Sequence, residues 1–297
     1  LDEILAQHVQ GGKVVERLAV NEPAIGQSFF DLYGDVAFFS RQRRVAMRNN
    51  GIIDPENLDE YVRAGGFKAL ATALGKGDPE WVINEVLKAR LRGRGGGGFP
   101  TGKKWQLARQ QEEKTRYIIC NGDEGDPGAF MDRGLLESDP FSIVEGMIIG
   151  GYAIGACKGF YYIRAEYPLA IKRIQNAIER CRAAGLLGEN IMGSGYAFDL
   201  EIRLGAGAFV CGEETALIRS IEGERGQPKV RPPYHAQKGL FGKPTIINNV
   251  ETFANIPPVI NHGGDWFSQI GTEGSGGTKV FALAGKVKHT GLVEVPL

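Results

Sequence analysis

Between Leu91 and Trp105 the chain reads Leu-Arg-Gly-Arg-Gly-Gly-Gly-Gly-Phe-Pro-Thr-Gly-Lys-Lys-Trp, with six glycines in the ten positions from Gly93 to Gly102. Bare backbone is followed at once by positive charge. Glycine reaches positive φ without steric cost and lets backbone approach a ligand closely, and a row of free N–H groups beside lysine suits a phosphate. A mobile linker has a similar composition. Linkers, however, are rarely closed on both sides by bulky apolar residues, here Leu91 and then Phe99 and Trp105.

Gly93-x-Gly95-x-x-Gly98 formally matches the dinucleotide fingerprint, which needs a strand before it and a helix opening after it. What precedes it is Asp78-Pro79-Glu80-Trp81, a helix start with Asp as N-cap and Pro at the first position, then Val82, Ile83, Val86 and Leu87 at helical spacing. A helix therefore leads into the glycines, and an ordinary Rossmann first turn is disfavoured. No Gly-Lys-Ser/Thr follows at Walker spacing. The loop is expected to hold a phosphorylated cofactor in a less common way.

The 297 residues are enough for a core and two or three domains. Lys+Arg and Asp+Glu both number 35, a neutral balance that gives no hint of nucleic acid or an anionic membrane. Cys120, Cys157, Cys181 and Cys211 form no C-x-x-C pair and read as small buried hydrophobes in a reducing cytoplasm. The least polar window, Met147 to Ile163, is interrupted by glycines and Lys158 and is too short to span a bilayer. The chain starts without methionine and stops soon after the strand-like run Lys279-Val-Phe-Ala-Leu-Ala-Gly, whose partners would lie partly beyond the end. It reads as a fragment of a longer polypeptide.

In order, Leu1 to Val9 is helix-like, and residues 1–35 form a connector left from an upstream domain. Arg44-Val-Ala-Met-Arg48 alternates like a strand before the Asn49-Asn50-Gly51 turn, and short helices are predicted over Asn57 to Ala64, Phe67 to Leu74 and 79–90. Residues 36–101 thus make a small helical region ending in the glycine loop. From Tyr117 strand and helix alternate: Tyr117–Cys120, a helix capped by Asp139-Pro140 and running to about Ala156, Gly159–Arg164, Pro168–Ala184 and Asp199–Leu204. That order argues for a largely parallel sheet covered by helices.

Two polar loops leave strand ends, where open α/β sheets bind ligands. Asn121-Gly-Asp123-Glu124-Gly-Asp126 places three carboxylates and an Asn in six residues, which repel one another unless something binds them. Gly205-Ala-Gly207-Ala-Phe-Val-Cys211-Gly212-Glu213-Glu214-Thr215 puts two carboxylates in the first turn of a helix. The dipole accounts for one of them. The small residues before them suggest space for a flat ring. Further on, Tyr234 offers a face for a base, and Asn248 and Asn249 offer amides suited to a ribityl chain or a flavin edge.

With these motifs in view, the chain resembles the NADH-binding flavoprotein subunit of respiratory complex I and its relatives in soluble NAD-dependent hydrogenases and formate dehydrogenases (diaphorase subunits). The likeness rests on Leu91 to Gly102, Asn121 to Asp126, Gly205 to Thr215 and Gly242-Lys-Pro-Thr-Ile-Ile-Asn-Asn-Val-Glu-Thr, in the family's order, over roughly 36–297. Asp123 to Arg133 and the Asn49 lead-in look closer to the hydrogenase and formate dehydrogenase branch. The resemblance implies an α/β fold: a Rossmann-like FMN- and NADH-binding sheet with helices on both faces over 102–269, then the truncated start of a β-grasp domain over 270–297.

It also implies FMN held by the glycine loop (Gly93, Arg94, Gly95, Gly96) and by Lys104, Asn121, Asp123, Glu124, Gly212, Glu213, Asn248 and Asn249. NADH would stack on the flavin with its adenosine part near Phe99, Lys104, Asp126, Glu214, Arg231 and Tyr234, the carboxylates of Glu214 and Asp126 being assigned to the catalytic site. Glu214 near the adenosine ribose would repel a 2′-phosphate and favour NAD over NADP. Leu107 stands where relatives often place an aromatic, and Arg231 and Tyr234 where Lys and Phe are common. The implied activity is hydride transfer between NAD(H) and FMN, then single-electron transfer to iron–sulfur centres of a larger complex. Such a complex would include a thioredoxin-like 2Fe–2S subunit. No cluster is expected in these residues, a 4Fe–4S cluster belonging to a following domain, and no metal, nucleic acid or membrane insertion is expected. The competing readings are a non-catalytic scaffold of a redox complex and a flavin-free nucleotide sensor.

Overall fold

The computed structural model describes residues 41–297, so the expected Leu1 to Val9 helix and the rest of the 1–35 connector lie outside the described residues. Four strands form a parallel sheet: β1 Tyr117–Gly122, β2 Lys158–Arg164, β3 Asp199–Gly205 and β4 Thr245–Asn249. Their spatial order is β3-β2-β1-β4. The chain enters at β1, moves outward to β2 and β3, then returns to lay β4 on the other side of β1. The reversal leaves a crevice between the carboxyl ends of β1 and β4, where adjacent connections depart in opposite directions.

Strand side chains alternate between two apolar faces. Ile118, Cys120, Tyr161, Ile163 and Ile246 belong to the larger core, together with the Pro140–Ile154 and Pro168–Ala183 helices that carry β1 to β2 and β2 to β3. Ile119, Phe160, Tyr162 and Ile247 face Leu217, Ile218 and Ile221 of the Glu214–Ile221 helix on the other side. The sheet is therefore covered on both faces, as anticipated.

The Pro140–Ile154 helix is buried almost throughout, and its glycines permit that. A Cβ at Gly146 would stand 2.3 Å from the Phe253 carbonyl oxygen, and one at Gly150 would stand 2.8 Å from Ile118 Cδ1. Asp139 caps this helix by accepting from the Ser142 amide at 3.3 Å, with Pro140 at the first position. Before the sheet, helices at Leu58–Arg63, Lys68–Lys76 and Pro79–Lys88 form the expected helical layer. The last is capped by Asp78, whose Oδ1 accepts from the Glu80 amide at 3.0 Å, and buries Val82, Ile83 and Val86. These side chains share one core with the sheet residues.

Two sequence expectations need correction. Residues 44–48 are not a strand. The amides of Ala46 and Met47 donate instead to the two carboxylate oxygens of Glu294, each at 2.9 Å, and the segment turns. A partner nearly 250 positions away leaves no local trace. Cys157, expected to be buried, is exposed, while Cys120, Cys181 and Cys211 are buried. The Lys279 run is strand β7 (Thr278–Leu283), as expected, and one antiparallel partner, β8 (Gly291–Pro296), lies within the chain. A short pair, β5 Gly271–Thr272 with β6 Ser275–Gly276, precedes it. Among the described residues no helix is long and apolar enough to cross a membrane.

Glu294 is fully buried and also accepts from the Thr278 hydroxyl, tying the C-terminal hairpin to the start of the helical layer. Glu294→Ala should therefore cost about 2–4 kcal/mol in a denaturant titration, because it strands two buried amides. A loss below about 0.5 kcal/mol would show that the amides find other partners.

Candidate cofactor cleft

A cleft of ≈ 540 Å³ opens at the crevice between β1 and β4. Its floor is built from strand ends. Asn121 is next to last in β1, and its side chain is held by two bonds: Nδ2 donates to the Gly212 carbonyl at 3.0 Å and Oδ1 accepts from the Asp123 amide at 3.0 Å. Asn248, next to last in β4, accepts at Oδ1 from the buried Trp105 indole at 2.9 Å. Its amide orientation is thus set by the helix Thr101–Arg109, which opens directly after the glycine loop. Asn249 caps the next helix by accepting from the Glu251 amide and donates to Asp132 Oδ2 at 2.5 Å.

One wall is the glycine loop. Gly93 and Arg94 use their amides inside the protein, on the Phe99 carbonyl (2.9 Å) and Thr252 Oγ1 (2.9 Å). The amides of Gly95 to Gly98 form no hydrogen bond within the protein. Gly96 and Gly98 take positive φ, +100° and +61°. The loop also lies against β4, since a Cβ at Gly95 would meet Asn249 Cβ at 3.0 Å. Gly95, Gly97 and Gly98 line the cleft together with Lys104, and unengaged amides beside a lysine make a nest for anionic oxygen.

Charged side chains line the cleft as well. Lys104 Nζ donates to Glu214 Oε1 at 2.5 Å and to the Ile247 carbonyl at 2.6 Å. The other Glu214 oxygen lies 3.5 Å from Arg231 and 3.3 Å from His235 Nδ1. Burial opposes ionisation of Glu214, but the charges led by Lys104 outweigh it, and its pKa lies below the ordinary carboxylate value. Burial pushes the His235 imidazole down to about 4 against the pull of Glu214, with Lys104 and Arg231 adding to the fall, so it is neutral at neutral pH. Glu213 has a different task. It caps the Glu214–Ile221 helix, with Oε2 accepting from the amides of Thr215 (2.9 Å) and Ala216 (3.0 Å), and its Oε1 is paired with Arg231. Of the two adjacent glutamates, the dipole explanation belongs to Glu213, and Glu214 is the one turned to the ligand space.

Of the residues singled out in the sequence, Gly93, Gly95, Phe99, Lys104, Asn121, Gly212, Glu213, Glu214, Arg231, Tyr234, Asn248 and Asn249 line this cleft. Five do not. Arg94 turns its guanidinium away to the Gly276 carbonyl at 2.6 Å and is buried, anchoring the loop from behind. Gly96 lies within the loop but not on the cleft wall. Glu124 accepts from the amides of Asp132 and Arg133, each at 3.2 Å, at the start of the Met131–Ser138 helix. Asp126 sits exposed in a turn. Asp123 lies just behind Gly212, its carbonyl 3.3 Å from where a Gly212 Cβ would stand. Both its carboxylate oxygens are buried without a hydrogen-bond partner, and the nearest cation, Arg164, is 4.0 Å away. The sequence reading missed His235, which carries no motif signal beyond following Tyr234.

Residues 86–258 match the family profile of the Nuo51 FMN-binding domain, more than half of the chain. The chain belongs to the Nuo51 FMN-binding domain family. It is 60% identical over 257 residues to the NADP-reducing hydrogenase subunit HndC of Solidesulfovibrio fructosivorans, covering 86% of this chain and 52% of that protein. With an NADH-quinone oxidoreductase subunit of Aquifex aeolicus it shares 51% identity over 241 residues, 81% of this chain and 56% of the relative. It thus spans about half the length of these relatives. Among solved structures, an H2-reduced NAD+-reducing NiFe-hydrogenase chain superposes with a TM-score of 0.74 at 36% identity, covering 98% of this chain and 46% of that one. The same kind of enzyme in its air-oxidised state gives 0.69 at 43% identity, over 76% of this chain and 39% of that one.

The residues present fit an FMN. The open amides and Lys104 suit its phosphate, and the strand-end asparagines suit hydroxyls and ring edges. The unpartnered Asp123 carboxylate is a second sign of a site made for a ligand, since buried polar atoms are otherwise paired. Burial pushes the Asp123 carboxyl up to about 6, against the pull of Arg164 and with Glu166 adding to the rise. A folded-state pKa above the unfolded value of about 3.9 means that the folded protein binds more protons in between. Ionised Asp123 therefore costs the flavin-free protein stability as pH rises from about 4 to 6 and beyond. Asp123→Asn should stabilise that form by about 1–2 kcal/mol at pH 7.5, and by well under half of this at pH 4.5, in denaturant titrations. An equal gain at both pH values would rule out ionisation as the cause.

Proposed function

We propose that the chain is the flavin module of an NADH:acceptor oxidoreductase, a diaphorase unit that exchanges hydride between NAD(H) and bound FMN and passes electrons singly to iron–sulfur centres of a larger complex. The observation that carries this reading is the cleft itself: unengaged glycine-loop amides and Lys104 on one side, the paired Asn248 and Asn249 on the floor, and Glu214 with aromatic Phe99 and Tyr234 at the rim. In this reading Gly93, Gly95, Lys104, Asn121, Gly212, Asn248 and Asn249 hold FMN, with Asp123 beneath it. Phe99, Glu214, Arg231 and Tyr234 receive the dinucleotide. Asp126, exposed in its turn, falls outside the set.

FMN, when bound, supplies a two-electron acceptor that can release electrons one at a time. The protein's part is placement. Trp105 fixes the Asn248 amide, Lys104 is pinned between the Ile247 carbonyl and Glu214, and the loop meets a phosphate with dipoles already oriented. Such preorganisation lowers the barrier without any side chain acting as acid or base.

The partners proposed are iron–sulfur subunits, a thioredoxin-like 2Fe–2S subunit among them, in a cytoplasmic complex of the hydrogenase, formate dehydrogenase or complex I kind. The names of the relatives, hydrogenase and quinone oxidoreductase subunits, support an assembly of several subunits. We also propose NAD over NADP, since Glu214 would stand against a 2′-phosphate. HndC is named for NADP, so the preference is open to a direct test.

The chain should be loaded with FMN without oxygen and titrated with NADH and then NADPH, following the flavin band. Rapid bleaching by NADH is expected. Flavin that does not bind would sink the reading of the glycine loop, and flavin that binds but stays oxidised would sink the dinucleotide site. Glu214→Gln should narrow the NADH to NADPH affinity ratio by about tenfold. An unchanged ratio would remove Glu214 from selectivity.

A further inference from the structure

His235 is a side chain of the cleft that the proposed flavin and dinucleotide contacts do not use. It is 6% exposed, lines the cleft wall, and leaves both ring nitrogens buried without a hydrogen-bond partner. Glu214 Oε2 stands 3.3 Å from Nδ1, but not in hydrogen-bonding alignment. Among the described residues lining the cleft, no other side chain has a buried polar atom in this condition. Buried polar atoms in folded proteins are normally satisfied, and two on one ring need an explanation.

The surroundings narrow what would satisfy them. The imidazole is neutral, so one nitrogen donates and the other accepts. A hydroxyl has the same double character. A phosphate has no proton to give at neutral pH and would stand against Glu213 and Glu214. An aromatic base has a better surface next door on Tyr234, which is 55% exposed. A sugar hydroxyl beside the Glu214 carboxylate would find an acceptor there and a donor or acceptor on the ring. We propose that His235 is a nucleotide-binding residue that hydrogen-bonds a ribose hydroxyl of the dinucleotide, completing with Glu214 a diol-recognition pair. The inference rests on the reading of this cleft as a dinucleotide site.

ADP-ribose, which carries the sugars without the nicotinamide, is the probe. Its binding to the FMN-loaded chain is measured by calorimetry for the wild type, His235→Ala and His235→Asn, and repeated with the 2′-deoxy and 3′-deoxy analogues at the adenosine ribose and with the terminal ribose removed (ADP). Loss of one such bond is expected to weaken ADP-ribose binding about tenfold in His235→Ala. His235→Asn keeps a donor and an acceptor and should recover most of that loss, which also guards against a variant that merely misfolds. One sugar hydroxyl should matter about tenfold to the wild type and nearly nothing to His235→Ala. Equal affinity of the wild type and His235→Ala, or a hydroxyl penalty of the same size in both, would overturn the proposal. Failure of the wild type itself to bind ADP-ribose while FMN remains bound would overturn the dinucleotide reading, and this proposal with it.

Discussion

The site depends on one topological constraint, the parallel pairing of β1 with β4 after the chain has already built outward through β2 and β3. Cys120 is opposite Asn248 and Asn121 opposite Asn249 in that register. Connections leaving these two strands must part, and side chains at their ends point into the gap. A slip of one residue would turn Asn248 and Asn249 to opposite faces. Register is held because Ile119 and Ile247 face one core while Ile118 and Ile246 face the other. The cleft chemistry is therefore a by-product of how the apolar faces are sorted.

Behind the cleft floor lies a second layer of buried charge. Asn249 donates to Asp132, a buried carboxyl whose pKa is raised by burial and by Glu124 and Glu251. Glu251, also buried, accepts from Lys279 Nζ at 2.5 Å and from the Val280 amide at 2.8 Å. Burial, opposed by Lys279, brings Glu251 up to about 7. Asn249 is thus connected, through the helix it caps, to strand β7 of the C-terminal hairpin. Arg94 makes a parallel link from the glycine loop to β6 through the Gly276 carbonyl. Two cleft elements are braced by residues distant in sequence, and both braces are buried hydrogen bonds to charged groups, the kind whose breaking is costly.

What was legible in the sequence was local. The Asp78-Pro79 and Asp139-Pro140 starts, the first three parallel strands and the two loops at strand ends follow from caps, periodicity and turn residues, and they stand where expected, whereas β4 reads in the sequence only as the end of a polar loop. What was not legible depends on partners far away. The run from Arg44 to Arg48 reads as a strand, yet the Ala46 and Met47 amides donate to Glu294. Arg94 sits among glycines like a phosphate ligand, yet a carbonyl at Gly276 claims it. Glu124 reads as part of an acidic ligand loop, but the amides of a helix beginning a few residues later are nearer than any cofactor space. For Arg94 and Glu124 the residue type was right for a charge-assisted bond, and only the fold decides with which group.

Glu213 and Glu214 show how adjacent, identical side chains take separate roles. The backbone at Glu213 is extended, so its carboxylate folds over the first amides of the helix and is consumed there. One residue later the chain is helical, and Glu214 projects sideways toward Lys104 and His235. A carboxylate held by a lysine and near an arginine is not a bare negative charge. Its repulsion of an incoming anion is set by how firmly Lys104 keeps its position, which in turn rests on the Ile247 carbonyl of β4. What this carboxylate presents to the cleft is therefore a property of β4 as much as of the glutamate.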